Sequence, residues 1–188
     1  GYEVLGIDID TKAIKFIKEE LNLNVLNTDL YSLNIDTKFD VIVLIGVFEH
    51  IEKPNDLINR IKRFLKEDGE IILGLPNVLS FNRIVAYFSK NEWDMFLEPG
   101  HIFHYQKSNL VRIFNENGMK LSEFKTASTK IRGKIPFLPN RNKIVETKIK
   151  KAVEKYPIAK VIYLSMLKLI DIFRMGDIIL AKFKFKSL

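Results

Sequence analysis

Two aspartates stand where predicted strands end. Asp8 closes the apolar segment 3–8, and Asp29 closes the next strand-like segment, 24–28. A carboxylate accepts two hydrogen bonds in a fork, so Asp8 is suited to the paired hydroxyls of a ribose. Asp29 is suited to an adenine amino group, with the backbone N–H of Leu30 donating to the ring. The alternatives are a helix cap at Asp8 and an Asx turn at Asp29.

A second set of side chains is suited to moving a proton. Glu49 and His50 follow the apolar segment 39–45, and His101 lies further along the chain. Imidazole titrates near neutral pH, which makes His50 the first candidate for a general base and His101 the second. The alternative for His50 is structural, as a histidine at a helix start that Glu49 orients.

Metal chemistry is not predicted. The chain has no cysteine and three histidines, and its carboxylates show no spacing typical of a metal site. The third histidine, His104, is expected to pack among Phe103 and Tyr105. The absence of cysteine also excludes a disulfide framework and fits a cytoplasmic protein.

The elements that must position these residues alternate between strand and helix in the first half of the chain. Segment 39–45 is almost wholly apolar, which predicts a strand covered on both faces. Alternation with short connections predicts a parallel α/β sheet, whose ligands bind beyond the carboxyl ends of the strands. The predicted strands are 3–8, 24–28, 39–45 and 70–75, and the predicted helices are 11–21, capped by Asp10, and one that starts at Pro54 and is closed by residues 66–69.

The second half differs in pattern. Residues 76–106 predict a lid-like insertion with one short helix at 80–89, and a helix at 107–117 ends at Gly118. Strands are predicted at 119–126 and 177–186. Between them lies an insertion, 130–175, with helices at 142–156 and 158–174 on either side of Pro157.

Positive charge is concentrated in that insertion. The net charge is +7, and residues 125–160 hold 11 Lys or Arg against 2 Asp or Glu. A Lys-rich helix followed by an apolar one predicts docking on an anionic membrane surface or access for a lipid-linked acceptor. The alternatives are a solvated helix face, cover for the sheet, or a dimer interface. The apolar helix is too short and too charged to predict a membrane span.

Five segments in order resemble one family. They are GYEVLGIDID at 1–10, NTDL at 27–30, FDVIVLIGVFEHIEKP at 39–54, LKEDGEIILGLPN at 65–77, and GHIFHYQKSNLVRIFNENGM at 100–119. Together they resemble the class I S-adenosylmethionine-dependent methyltransferase superfamily, in the branch of the ubiquinone-biosynthesis O-methyltransferases. The resemblance implies a Rossmann-like sheet, mostly parallel, with an antiparallel C-terminal strand. It also implies S-adenosylmethionine as the cofactor.

The resemblance assigns roles to the site residues. Asp8 would bind the ribose and Ile9 would pack on the adenine, while Asp29 and Leu30 would contact the adenine edge. Ile45 and Gly46 would lie near the methionyl part of the cofactor. The remaining three residues would lie at the acceptor pocket, namely Glu49, His50 and His101.

One departure from the family is large. The family's first strand and its glycine-rich loop do not occur in these 188 residues. We therefore expect a partial single domain over 1–188 that binds the cofactor weakly, or not at all, without that loop.

The expected activity is methyl transfer to an oxygen of a small-molecule or lipid-like acceptor. Two other classes stay open at this point, a nucleotide-dependent oxidoreductase on a similar sheet and a non-catalytic scaffold of the same fold. Nucleic acid is an unlikely partner, because no RNA-binding or base-flipping motif accompanies the basic segment. The oligomeric state cannot be derived from the sequence.

Overall fold

The computed structural model of the protein describes residues 1–88, 90, 92–128, 151 and 153–186. Six strands and six helices are defined there, together with one short 3-10 turn at Phe48–His50. The strands are β1 Gly6–Asp8, β2 Val25–Asn27, β3 Phe39–Ile45, β4 Leu65–Pro76, β5 Met119–Ala127 and β6 Ile178–Phe185. The helices are α1 Thr11–Glu19, α2 Pro54–Lys62, α3 Phe81–Phe88, α4 Asp94–Leu97, α5 Lys107–Glu116 and α6 Pro157–Ile172.

The strands form two hydrogen-bonded groups. β1 and β2 pair in parallel, and the other four strands form a sheet in the order β3-β4-β6-β5. β3 and β4 are parallel, whereas β6 runs antiparallel to both of its neighbours. The α/β class and the antiparallel C-terminal strand are therefore confirmed, and among the described residues the antiparallel pairings are as many as the parallel ones.

The core lies between the four-stranded sheet and helices α2 and α5. Phe114 of α5 stacks on Phe183 of β6, with ring centroids 3.8 Å apart and planes inclined by 15°. Both side chains are fully buried, as expected for large aromatic rings at the centre of a small domain. Apolar side chains at helical spacing on α2 join this cluster, namely Leu57, Ile58 and Ile61.

The start and end signals of the helices act as predicted. The Asp10 carboxylate accepts the N–H of Lys12 at 2.8 Å and caps α1, and Pro54 opens α2. Gly118 has φ +76, the left-handed conformation that glycine adopts most readily after a helix. α5 ends at Glu116, one residue earlier than predicted, and β5 begins directly after Gly118.

Two expectations about the strands are wrong. Segment 39–45 is β3, but it is an edge strand, and its Val41, Val43 and Ile45 are exposed. These three alternate residues share one face of the strand, and that face is not covered by the described residues. Residues 66–69 do not close a helix, because the chain has already entered β4. Leu65 is buried and pairs with Phe39, and the register shifts before Glu70 pairs with Val41.

The insertion between the last two strands is only partly described. Strands β5 and β6 confirm the predicted flanks, and Pro157 is the first residue of α6. Most of the predicted helix 142–156 lies outside the described residues. α6 buries Leu167 and leaves most of its remaining apolar side chains exposed.

Candidate active site

Asp8 is the last residue of β1, and Asp29 lies two residues after the end of β2, so both stand at the carboxyl ends of this parallel pair, as predicted. The Asp8 Oδ1 accepts the N–H of Asp10 at 2.8 Å, so part of this carboxylate is already engaged in a local turn. The Asn27 side chain donates to the carbonyl oxygens of Asp8 and Ile9, at 3.2 and 3.3 Å. Asn27 was not singled out by sequence, although its position beside two strand-end acids was a usable signal.

The Asp29 carboxylate is held by its own loop. Its Oδ1 accepts the N–H groups of Tyr31 and Ser32 at 2.7 and 2.9 Å, and its Oδ2 accepts the Ser32 hydroxyl at 2.6 Å. These bonds, that of the Ser32 side chain first, lower the pKa of Asp29. The Asx-type turn named as the alternative is therefore present, and Oδ2 keeps lone-pair capacity for one further donor. The next residue, Leu30, packs against the core.

The end of β3 is open. Gly46 has φ +66, and a Cβ atom built there would meet nothing within 4 Å. Its N–H bonds to the Gly74 carbonyl of β4 at 2.9 Å, which fixes the turn. Ile9 and Ile45, the two apolar residues assigned to the cofactor, are both strongly exposed. These features leave room for a ligand over the strand ends.

Glu49 joins the short 3-10 turn to the segment that carries His101. The Glu49 carbonyl accepts the N–H groups of Ile102 and Phe103, at 2.9 and 3.1 Å. Its carboxylate is buried, and Oε1 lies 3.9 Å from the His101 Nε2. Glu49 therefore faces His101, and a different group contacts His50 in place of the Glu49 contact named as the alternative.

That group is the backbone of Gly100. The His50 Nδ1 lies 2.8 Å from the Gly100 carbonyl, and the His101 Nδ1 lies 2.9 Å from the Met95 carbonyl. Because a carbonyl oxygen only accepts, both Nδ1 atoms carry the hydrogen, which leaves each Nε2 to face other groups. The two imidazole rings lie 4.8 Å apart. The fold thus brings together the three predicted acceptor-side residues, which are 52 positions apart at most.

These three side chains also form a donor set. One ligand atom from each of Glu49, His50 and His101 lies within 4.8 Å of the other two. Two imidazole nitrogens and one carboxylate oxygen are chemically able to hold a divalent cation. The sequence did not suggest this set, because its members are separated by a loop that only the fold closes.

His104 belongs to an aromatic cluster behind His101. Its ring lies 4.5 Å from Phe96 and 5.7 Å from Trp93, so the expected packing among Phe103 and Tyr105 is wrong. Burial first, and then the charges of His101 and Arg83, lower the pKa of His104. On the other side of Glu49, burial and the Glu49 charge raise the pKa of Tyr105 to about 12.

The fold and site define a Rossmann-like α/β protein with carboxylates at strand ends and a histidine pair beyond them. Comparison with known proteins narrows this class, because the methyltransferase domain family matches residues 1–123. The chain belongs to that family.

Known relatives agree with this assignment. The ubiquinone biosynthesis O-methyltransferase of Rickettsia typhi is 25% identical over 135 residues, covering 63% of this chain and 55% of that protein. The chain thus spans about half the length of the curated relatives it matches. A methyltransferase structure from Archaeoglobus fulgidus covers 97% of this chain and 75% of its own, with 23% identity and a TM-score of 0.55. The magnesium protoporphyrin IX methyltransferase of Synechocystis covers 70% and 61%, with 20% identity and a TM-score of 0.51.

Proposed function

We propose that this protein transfers a methyl group from S-adenosylmethionine to an oxygen of a small-molecule acceptor. The observation that carries the proposal is the convergence of Glu49, His50 and His101 beside the carboxyl end of β3. Membership of the methyltransferase domain family supports methyl transfer over the two open alternatives, the oxidoreductase and the scaffold. The names of the relatives favour oxygen as the methylated atom.

In this proposal, each residue assigned to the cofactor site contacts one part of S-adenosylmethionine. Asp8 accepts from the ribose hydroxyls through Oδ2, and Asp29 accepts from the adenine amino group through the remaining capacity of its own Oδ2. Ile9 packs on the adenine and Leu30 borders it. Ile45 and Gly46 border the methionyl part, where the open space over Gly46 supports the fit.

S-adenosylmethionine supplies an electrophilic methyl group on a sulfonium. The protein contributes alignment, which supplies on the order of 7–11 kcal/mol in well-oriented reactions. It also contributes a base that removes the proton of the acceptor hydroxyl. His50 and His101 are the candidates for this base, and Glu49 lies beside them.

The test uses the full-length protein with S-adenosylhomocysteine and NAD in parallel calorimetric titrations. We expect binding of S-adenosylhomocysteine alone. Binding of NAD alone would favour the oxidoreductase, and binding of neither would favour the scaffold.

The second part of the proposal concerns the surface on which α6 docks. Within the described residues no helix is long and apolar enough to cross a membrane. α6 nevertheless exposes Ile158, Val161, Ile162 and Leu169, and the segment 125–160 around its start carries a net charge of +9. Exposed apolar surface beside dense positive charge is typical of helices that lie on anionic membranes. We therefore expect a cytoplasmic protein that docks on such a surface and takes a lipid-linked acceptor.

Vesicle flotation tests this docking. The full-length protein should float with vesicles containing a third phosphatidylglycerol and stay in solution with pure phosphatidylcholine. The double variant Ile158→Ser/Ile162→Ser should lose flotation, whereas Phe16→Ser, at an apolar residue of α1 that is about as exposed as Ile162, should keep it. Equal flotation of both variants would exclude α6 as the docking element.

A further inference from the structure

Two cationic side chains, Lys107 and Arg174, contact one aromatic ring on β5. The Lys107 Nζ lies 5.4 Å from the centroid of the Phe124 ring, and the Arg174 Cζ lies 5.8 Å from it. Lys107 is the first residue of α5, and Arg174 is the second residue after α6. Each contact with the ring is favourable, but two positive charges gathered on one ring repel each other. This cation pair is therefore stabilised by an anion.

The acidic groups nearest to the cation pair in sequence do not supply that anion. Glu123 contacts Lys125 and, at 2.7 Å, the Lys182 Nζ. The Asp171 Oδ1 accepts the Ser128 hydroxyl at 2.8 Å. Among the residues that the structure describes, neither member of the cation pair forms an ion pair. Both positive charges are thus available to a ligand.

The backbone at Arg174 is a second observation that points to a ligand. Arg174 has φ +59, the left-handed conformation, at the position after a helix where glycine is the usual residue. An arginine adopts this conformation at a cost in free energy that glycine avoids. Backbone strain of this kind is concentrated at functional and ligand-binding positions. It indicates a role for the Arg174 side chain, which is exposed.

Neighbouring hydrogen bonds hold this strained turn in place. The Arg174 N–H donates to the Asp171 carbonyl at 2.9 Å, and the Arg174 carbonyl accepts the Asn77 side chain at 3.2 Å. The Asn77 Nδ2 also donates to the Gly176 carbonyl at 2.9 Å. Because Asn77 is buried and directly follows β4, the guanidinium projects from a fixed backbone at the carboxyl end of that strand.

Two strongly exposed apolar side chains come directly before Arg174. Ile172 is 72% exposed and Phe173 is 66% exposed. A phospholipid combines an anionic phosphate with acyl chains, so it matches cations and exposed apolar side chains that lie side by side. A free phosphate would engage the cations and leave Ile172 and Phe173 in water. The composition of this surface therefore favours a lipid over a soluble anion.

We propose that Lys107 and Arg174 bind the phosphate of an anionic phospholipid, while Ile172 and Phe173 enter the membrane beside it. Lysine and arginine are the usual side-chain partners of phosphate, and both are long enough to turn from the ring towards one headgroup. The site rests on the membrane docking in the proposed function and deepens it, because it places the lipid contact at the C-terminal end of α6. That end adjoins the edge of the sheet that carries the candidate active site.

Vesicle binding by the full-length protein tests the site. Dissociation constants are measured with vesicles containing a third phosphatidylglycerol in phosphatidylcholine. Lys107→Gln/Arg174→Gly should weaken binding by about tenfold or more, the loss expected when two cations leave an anionic surface. Because glycine favours the left-handed backbone at 174, this loss does not arise from added strain. Unfolding midpoints of the same samples check that each variant is folded.

Two control variants separate the site from net charge. Lys12→Gln/Lys18→Gln removes two positive charges from exposed positions on α1. It should weaken vesicle binding far less, because charges outside the contact are screened by salt. Lys107→Arg keeps the cation and should bind as the unaltered protein does.

Soluble phosphates distinguish a lipid from a free anion. In calorimetric titrations the unaltered protein should show no saturable binding of inorganic phosphate or glycerol 1-phosphate. Phe173→Ser should weaken vesicle binding, because the apolar contact belongs to the lipid. Saturable binding of either soluble phosphate, together with unchanged vesicle binding in Phe173→Ser, would overturn the lipid assignment.

The remaining outcomes separate the site from the proposed function. Equal vesicle affinity of Lys107→Gln/Arg174→Gly and Lys12→Gln/Lys18→Gln would overturn the site, and docking by α6 would stand if Ile158→Ser/Ile162→Ser still lost binding. No vesicle binding by the unaltered protein would overturn the site and the docking together. Binding of S-adenosylhomocysteine, measured on the same samples, reports separately on the methyl-transfer part of the proposed function.

Discussion

At the scale of single residues, the backbone at Gly100 controls the position of His50. Gly100 has φ +89, and its carbonyl accepts the His50 Nδ1 hydrogen. A Cβ atom at this position would lie 3.1 Å from the same Nδ1. The glycine is thus required twice, once for its backbone angle and once for the close approach of the imidazole.

Gly100→Ala should therefore displace His50 as well as strain the backbone. We expect a loss of about 1–3 kcal/mol in the free energy of unfolding and a lower kcat at unchanged affinity for S-adenosylhomocysteine. Denaturant unfolding and single-turnover assays measure the two effects.

Gly118→Ala is the matched control. Gly118 has φ +76, but the nearest atom to an added Cβ is the flexible Lys62 Nζ at 3.9 Å. Gly118→Ala should lower the free energy of unfolding by a similar amount and leave kcat unchanged. Equal kcat for the two alanine variants would show that Gly100 does not position His50.

Residue types at strand ends were enough to predict which side chains lie together at the candidate site. Asp8, Asp29, Glu49 and His50 could be named because strand ends of a parallel sheet lie on one edge. Their contacts could not be predicted. The approach of Glu49 to His101, rather than to its neighbour His50, depends on hydrogen bonds from Ile102 and Phe103 that only the folded segment forms.

At the scale of elements, α6 has two unlike faces. Leu167 is buried against the rest of the protein, whereas Leu164 is about half exposed. Leu167→Ala should cost about 2–5 kcal/mol in the free energy of unfolding, the usual range for a buried leucine. Leu164→Ala should change it by less than about 0.5 kcal/mol. Denaturant unfolding of both variants measures the difference, and equal losses would mean that α6 packs in another orientation.

The pairing of β5 with β6 contains a carboxylate between two lysines. Glu123 contacts Lys125 and, at 2.7 Å, the Lys182 Nζ of the partner strand. These two lysines lower the pKa of Glu123 to about 2. Because the pKa is lower in the folded state, the stabilisation is present above the usual range of a glutamate and is lost as pH falls towards 2.

Glu123→Gln should therefore weaken the dependence of stability on pH between about 5 and 2. The effect should be small, since the group is exposed to solvent and to salt screening. Glu116→Gln on α5 serves as the control and should leave the profile of unfolding midpoints unchanged. An unaltered profile in Glu123→Gln would mean that the lysines do not hold this carboxylate.

Hydrophobic periodicity and caps predicted most elements to within two or three residues. Asp10, Pro54 and Gly118 marked boundaries correctly because each acts within a few residues of itself. The environment of β3 and the start of β4 were mispredicted because they depend on contacts with distant parts of the chain. An apolar run alone does not state whether both faces of its strand are covered.

At the scale of the whole molecule, charge and apolar surface are distributed unevenly. The segment 125–160 carries a net charge of +9 against +7 for the chain, so the remaining residues are slightly acidic. Its apolar continuation, α6, lies between the two C-terminal strands of the sheet in sequence. The end of α6 lies near the carboxyl end of β4, because Ile178, which follows α6 closely, pairs with Pro76.

In the proposed function, the strand-end carboxylates bind the nucleoside of S-adenosylmethionine. Calorimetric titration of the full-length protein with S-adenosylhomocysteine, comparing Asp8→Asn with the unaltered protein, tests it most directly. We predict binding that Asp8→Asn weakens about tenfold or more, the loss expected for hydrogen bonds to a charged group. Unchanged affinity in Asp8→Asn, or no binding by the unaltered protein, would show that these carboxylates do not hold the nucleoside.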